Sequence, residues 1–551
     1  MNEGHAEQIA ALGEVCPVLN QPPPFAGHDA FTQDRWLVAA VRRAGIEGLD
    51  GAYSEMGRFV ASPEAHHHAM LANRYTPELH THDRFGRRID AVEFHPSWHV
   101  LMKRAFAAGL HSMAWKRRQA PFSSRAALFY LWNQLEQGTS CPTTMTFASV
   151  PMFEHAPDLA GLWKPKILAD AYDPRPERVE AKAGATIGMA MTEKQGGSDL
   201  REVQTAAAKR GRTWRLNGHK WFCSAPMSDA FFTLARAPQG VTCFFVPRTL
   251  PDGARNGFFI QRLKEKVGNR SNASSEVEYH DTTAFLVGEP GRGIATLLNM
   301  AHHTRFDIVV AVAGMMRAAL NEALHHARYR SAFGKRLADH GLMRNVLADL
   351  ALEAEAAMLL AFRLAQAFDH AETDPREREI QRVLTPIAKY WLCKRVTPLV
   401  TEAMECLGGN GYVEESPIAR LWREAPLNGI WEGSANVICL DALRALARSP
   451  EAFWALADEA GLAGDERIDR VVEQVARPLA DPEQAQTQAR AIVETLAVAI
   501  QASLMKRHSD ASVAEAFIRA RLVSRHGAMT FGTLDMDSAQ LSTLLERAQV
   551  G

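Results

Sequence analysis

Residues 213–224 read Thr213-Trp214-Arg215-Leu216-Asn217-Gly218-His219-Lys220-Trp221-Phe222-Cys223-Ser224. Apolar and polar residues alternate on both sides of Asn217-Gly218, a pair that tolerates the positive φ of a type I′ turn. The spacing predicts a β-hairpin with 213–216 and 219–224 as its arms. Period-two patterning continues through 241–246 and 275–286, so the region from about 185 to 290 reads as an all-β unit. Outward from it the period turns helical. Before it, Leu128, Leu131, Trp132 and Leu135 recur at helical spacing, and Asp173-Pro174-Arg175-Pro176 reads as a linker. After it, Met343, Val346, Leu347, Leu350, Ala354, Ala357 and Met358 form one apolar helical stripe. Arg477-Pro478 and Asp481-Pro482 punctuate a last helical region. The fold class is α+β, in segments 1–182 (helical), 183–290 (β), 291–445 (helical) and 446–551 (a helical C-terminal extension).

The 551 residues suit three to four domains at roughly 150 residues each. With 62 Lys+Arg against 63 Asp+Glu, a polybasic coat over the whole chain is excluded, although a local patch is not. The longest apolar run, 308–316, is about half the roughly 18 residues of a membrane span, so no membrane partner is expected. The first residues, Met1-Asn2-Glu3-Gly4-His5, lack the basic-then-apolar layout of a secretion signal, which predicts a cytoplasmic protein. Seven scattered cysteines without a C-x-x-C pair read as reduced core thiols. No metal-ligand spacing is present: His66-His67-His68 are adjacent, and adjacent side chains point in different directions.

Five short segments carry chemistry. Met191-Thr192-Glu193-Lys194-Gln195-Gly196-Gly197-Ser198-Asp199 opens the β region with glycines that allow close backbone approach and hydroxyls that can donate. Trp221-Phe222-Cys223-Ser224 ends a strand with an aromatic and a hydroxyl. Arg330-Ser331-Ala332-Phe333-Gly334-Lys335 supplies cations suited to a phosphate, and Leu407-Gly408-Gly409-Asn410-Gly411-Tyr412 supplies three glycines. Ile430-Trp431-Glu432-Gly433-Ser434-Ala435-Asn436 follows. Each alone reads as a loop or a cap. No G-x-G-x-x-G follows a strand, so this is not a Rossmann dinucleotide site.

In this order, across a helix–strand–helix chain, the set resembles the acyl-CoA dehydrogenase superfamily of flavoproteins. Lys194-Gln195-Gly196, Gly218 to Phe222, Lys266 to Ser274, Thr304-Arg305-Phe306-Asp307 and the extension after 445 resemble its AidB-type branch, associated with the bacterial response to DNA alkylation. The resemblance implies an N-terminal helical domain, a middle β-barrel or sandwich, and a C-terminal four-helix domain with an added helical extension. It implies FAD lying between the β domain and the C-terminal helices, in a homotetramer whose neighbouring subunit completes each flavin site. Position by position, it places Met191, Thr192, Lys194, Gly197 and Ser198 at the flavin. Phe222, Cys223 and Ser224 would lie at the ring, with the Ser224 hydroxyl near N5. Arg330, Phe333, Gly408 and Gly409 would reach the diphosphate or adenine end across the subunit boundary. Trp431, Ser434 and Asn436 would also touch the cofactor.

The family's chemistry takes an α-proton with a carboxylate while a hydride leaves the β-carbon for the flavin, and the residue matching the family base is Glu432. Some members carry their base where Thr304 stands, and a threonine cannot serve. Phe222 stands where Trp is usual, Trp431 where Tyr is usual, Phe306 where a smaller residue or Pro is frequent and Glu405 where Gln is usual; larger side chains would narrow the acyl pocket and the Glu405 charge would alter the cofactor's surroundings. The dehydrogenase activity implied is weak or unknown, and the alternative to it is a metabolic enzyme for a short, branched or aromatic acyl-CoA.

The branch resemblance also implies double-stranded DNA as a partner. Residues 451–551 hold 10 Lys+Arg and 15 Asp+Glu, so the extension as a whole is not basic. Lys506, Arg507, Arg519, Arg521 and Arg525 nevertheless cluster, and Arg444 closes the preceding helix. These six are the candidates for sequence-independent phosphate contact. The alternative is an ordinary metabolic acyl-CoA dehydrogenase without a DNA role.

Overall fold

Alternation in 213–224 does build a β unit, but not through a hairpin at Asn217-Gly218. In the computed structural model, which describes residues 18–523 and 530–549, Thr213–Ser224 is one continuous strand. The tight turn lies earlier, at Gly211-Arg212, where Arg210 pairs with Thr213 and Gly211 takes φ 62°. Asn217-Gly218 faces a bulge on the neighbouring strand instead. The register with Ser274–Val287 slips between Leu216 and Gly218, Asp281 at the slip has φ 48°, and its N–H donates to Asn217 Oδ1 at 2.9 Å. Gly218 is required for close approach, because a Cβ there would stand 2.6 Å from Thr205 Cα. Tertiary pairing overrides the local turn preference of Asn-Gly.

Seven strands form the middle domain in the order Ile187–Ala190, Ala230–Ala237, Ala206–Arg210, Thr213–Ser224, Ser274–Val287, Gly240–Pro247, with Phe258–Leu263 also on Ser274–Val287. Gly240–Pro247 pairs back onto Ala230–Ala237, so the sheet closes into a barrel. Its interior is filled by Trp214, Leu216, Cys223, Phe231, Phe244, Ile260 and Tyr279. A separate two-stranded ribbon, Glu78–His82 with Arg88–Glu93, projects from the N-terminal helices.

Beyond the barrel, Gly293–Tyr329, Gly341–His370, Pro375–Cys406 and Ala435–Arg448 form the helical bundle. The first of these is long and apolar enough to cross a membrane by composition, yet 83% of its most apolar window is buried inside the protein. Gly341–His370 was expected to show one apolar stripe. Every residue from 347 to 365 is buried, because the helices Ala489–His508 and Ser538–Ala548 of the extension cover its remaining face.

That cover explains where the extension's cations go. Arg521, 3% exposed, donates to Asp349 at 2.5 Å and to Glu353 at 3.0 Å, and Arg395 meets Glu353 from the other side. Arg507 and Arg363 share Glu459 at 2.6 and 2.9 Å. Lys506 pairs with Asp465 at 2.7 Å, and Arg519 pairs with Asp535. Arg521 is therefore corrected as a DNA contact, being a core ion-pair member that cannot meet a phosphate. Lys506 and Arg519 stay partly exposed beside their partners, and Arg507 is mostly covered. Arg444 is exposed, and Arg525 lies outside the described residues.

The Glu459 site sets an acid limit. Burial acts to raise its pKa, but Arg363 and Arg507 overcome this and hold the carboxyl at about 2. A carboxylate depressed on folding contributes stability that is complete above the unfolded pKa and lost as pH falls through the folded one. Thermal midpoints are therefore expected to fall between pH about 4.5 and about 2. Glu459→Gln is expected to flatten that part of a melting series.

Candidate functional site

The 191–199 loop leaves the barrel after Ile187–Ala190 and is fixed by Glu193. This carboxylate, 1% exposed, accepts from Gln204 N at 2.7 Å, Thr205 Oγ1 at 2.6 Å and Lys220 Nζ at 2.8 Å. Burial opposes its charge, yet Lys220 with the hydroxyl and amide donors holds its pKa at about 2. The Thr192 carbonyl accepts from Trp221 N at 2.8 Å, and Lys194 N donates to His219 Nε2 at 2.9 Å, so the loop lies along the 213–224 strand. Gly197 lets the loop fold on itself, since a Cβ would meet Thr192 Oγ1 at 2.3 Å. Lys194 and Ser198 are left exposed on the rim, and Met191 is half-buried.

A second irregularity, between Lys220 and Cys223, decides what the strand presents. Lys220 and Cys223 both point into the barrel, so Trp221 and Phe222 fall outside in succession, followed by Ser224. Phe222 is 53% exposed, with Lys264 Nζ 4.8 Å from its ring centroid. Ser224 pairs across the sheet with Ser274, their hydroxyls 3.5 Å apart, and Lys266 Nζ reaches Ser274 Oγ at 3.0 Å. Cys223 is corrected here. Its thiol is fully buried, with its pKa pushed up to about 12 by burial, and it cannot contact a ligand on the Phe222 and Ser224 face.

Across the cleft, Glu432 sits in a loop before Ala435–Arg448 with a left-handed backbone, φ 56°, followed by Gly433 at 105°. Its Oε2 is enclosed without a hydrogen-bond partner, as is Trp431 Nε1. The Thr304 side chain and the cations Arg305 and Lys389 act on the carboxyl, and burial outweighs them, lifting it above the ordinary carboxylate range. The two walls meet at Cys141 on the Ser140–Ser149 helix. This buried thiol lies beside the Ser224 and Asn272 side chains and feels the charges of Lys266 and Glu432. Ser224 and Glu432 thus both act on the Cys141 thiol.

The other sequence candidates form a second group. Arg330 ends the Gly293–Tyr329 helix and donates to Asn20 O at 2.7 Å, and Asn20 also exchanges hydrogen bonds with Ser331. Phe333, 96% exposed, tips the small ribbon formed by Ser331–Ala332 and Lys335–Arg336. Asn410, beside Gly408 and Gly409, donates to Gln21 Oε1 at 3.1 Å, so residues 20–21 tie the ribbon to the glycine turn. Among the described residues, no hydrogen bond joins this group to the 191–199 loop. Ser434 and Asn436 are exposed at the start of Ala435–Arg448, and Asn436 Oδ1 accepts from Arg490 Nε at 2.9 Å. Cys141, Arg305, Lys266 and Lys389 were missed as site residues. The sequence signal for Arg305 and Lys266 was their place inside the branch motifs. Cys141 and Lys389 have none.

An exposed aromatic with a hydroxyl near it on the strand, and two enclosed polar atoms without partners on the 431–432 loop, suit a flat ring with polar edges such as a flavin. Comparison with known proteins agrees. Residues 20–174 match the adaptive response protein AidB N-terminal domain, 188–282 the acyl-CoA dehydrogenase middle domain, and 291–447 its C-terminal domain. The chain is 42% identical to AidB of Escherichia coli (strain K12) over 516 residues, covering 93% of this chain and 95% of that one. It is 29% identical to acyl-CoA dehydrogenase family member 11 of Caenorhabditis elegans, over 95% and 86% of the two chains. A crystal structure of C. elegans ACDH-11 in complex with C11-CoA superposes with a TM-score of 0.83 at 25% identity, over 98% of this chain and 94% of that one. The chain belongs to the AidB-type acyl-CoA dehydrogenase family, whose members are FAD-dependent flavoproteins.

Proposed function

We propose that this protein oxidises an acyl-CoA thioester across its α,β-carbons, with Glu432 as the base. The observation that carries this reading is the enclosed Glu432 Oε2, which makes no hydrogen bond. A carboxyl lifted by burial holds a proton more readily than a solvated one, which suits removal of a weakly acidic α-proton. When bound, FAD supplies the acceptor for the hydride that leaves the β-carbon. Phe222 and Ser224 would hold its ring side, the 191–192 backbone and Ser198 its adjoining edge, and Ser434 its other face. The thioester class is supported by the nematode relative, whose structure carries C11-CoA. The family resemblance also carries a homotetramer in which Arg330, Phe333, Gly408 and Gly409 of one copy complete the flavin site of another, and Phe333, 96% exposed, is free to do so. A single-chain mass in light scattering would remove that part.

The test is an anaerobic titration of the yellow protein with acyl-CoA esters of graded length. Bleaching of the flavin band by one ester supports the reading and names its substrate class. A flavin band unmoved by the whole series overturns it.

A second reading, double-stranded DNA as a partner in the alkylation response, is favoured by Arg444, which is exposed in the last two turns of Ala435–Arg448 and makes no ion pair among the described residues. Arg444→Ala is expected to reduce the salt slope of duplex binding by about one. Absence of binding at low salt ends this reading.

A further inference from the structure

We propose that Lys389, acting with Arg305, is a positioning residue that clamps the backbone of the base loop and thereby aims the Glu432 carboxyl. The inference rests on Glu432 being the base. Three consecutive carbonyls are each held by a cation. Lys389 Nζ donates to Trp431 O at 3.0 Å and to Gly433 O at 2.6 Å, and Arg305 Nε donates to Glu432 O at 3.0 Å. The two cations come from different helices, Pro375–Cys406 and Gly293–Tyr329, so the loop is held from two sides.

Two features mark the clamp as more than packing. Glu432 has φ 56°, a conformation that disfavours a side chain and persists only where the surroundings over-determine it. The next residue, Gly433, takes φ 105°, a backbone conformation that favours glycine. Lys389 itself is 1% exposed, and among the described residues its hydrogen bonds go to carbonyls alone. The buried lysines of the barrel differ, for Lys182 has Asp229 at 2.6 Å and Lys220 has Glu193 at 2.8 Å. A buried ammonium that binds only carbonyls is an expensive way to fill space. Methionine would fill it without that penalty, so the charge and its two directed bonds have a role at the loop.

The charges facing Glu432 come from three helices. Arg305 and Lys389 favour its ionised form, Asp441 pairs with Arg305 at 2.5 Å, and the Cys141 thiol lies opposite. Removing the Lys389 charge leaves the Thr304 side chain and Arg305 against burial, so the Glu432 titration moves to higher pH. Freeing two of three carbonyls also lets the carboxyl drift, and misplacement by about 1 Å costs a factor of about 100 in rate.

The experiment compares wild type, Lys389→Met, Lys389→Gln and Glu432→Gln as FAD-loaded proteins. Three quantities are read: flavin content, the rate and pH profile of bleaching by the active ester, and the pH dependence of the spectral change when a non-oxidisable thioether analogue of that ester binds. Lys389→Met is expected to keep its flavin, lose about 100-fold in bleaching rate and shift both pH profiles upward. Lys389→Gln, which keeps a donor without the charge, is expected to recover rate but not the pH shift. It also serves if Lys389→Met fails to fold. Wild-type rates and profiles in both Lys389 variants, with Glu432→Gln inactive, overturn the clamp and leave the base standing. Full activity in Glu432→Gln instead overturns the base.

Discussion

Arg521→Met is expected to lower the stability of the helical bundle by about 3–5 kcal/mol, the usual consequence of removing one partner from a buried ion pair. Asp349 and Glu353 are both buried on Gly341–His370, and Arg521 bridges them. Arg395 still compensates Glu353, so Asp349 is the carboxylate left without a cation. Its remaining partner is the Gly532 N–H at 2.9 Å. The check is the denaturant midpoint of the far-ultraviolet dichroism, with exposed Arg444→Ala as the control expected to stay within about 0.5 kcal/mol of wild type. An Arg521→Met protein as stable as the control would mean that this arginine faces solvent, as a phosphate contact must. Asp349→Asn in the Arg521→Met background is expected to recover part of the loss, since it removes the stranded charge.

Glu432→Gln is expected to slow bleaching of the flavin by an active ester by a factor of about 10² to 10⁴, the range that a positioned general base supplies. The substitution keeps the shape and the φ 56° backbone with its three clamped carbonyls, and removes only the ability to take a proton. Flavin content and ester affinity are expected to hold, so the loss falls on the rate. A Glu432→Gln protein that bleaches as fast as wild type would place the base elsewhere. Thr304, the alternative position by resemblance, has no group that ionises in the working range.

The β unit between helical regions was legible because period-two alternation is a local signal that burial of one face enforces. The hairpin within it was not. Asn217-Gly218 has turn chemistry, but Asn217 accepts from a bulge on a strand 64 residues away, and only the paired sheet shows that bulge. The flavin loop could be read from its glycines and hydroxyls, whereas Cys223 was misplaced because a second bulge reverses which residues face inward. The cations 506–521 looked free for a similar reason. The carboxylates of Arg521 lie far off in the chain, Asp349 being 172 residues away, while Glu459, Asp465 and Asp535 lie within the extension but only the folded helices bring them to Arg507, Lys506 and Arg519. Lys389 gave no sign at all, since a lysine inside a helix reads as a solvated one until the loop it binds, 42 residues on, is placed against it.

The helix that carries Lys389 also faces the other way. Two residues along, Trp391 Nε1 donates to Gln501 Oε1 at 2.7 Å, and Gln501 belongs to the Ala489–His508 helix of the extension. One rod thus leans on the last hundred residues with one side and steadies the base loop with the other. The terminal region is in that sense a buttress for the helix that carries Lys389.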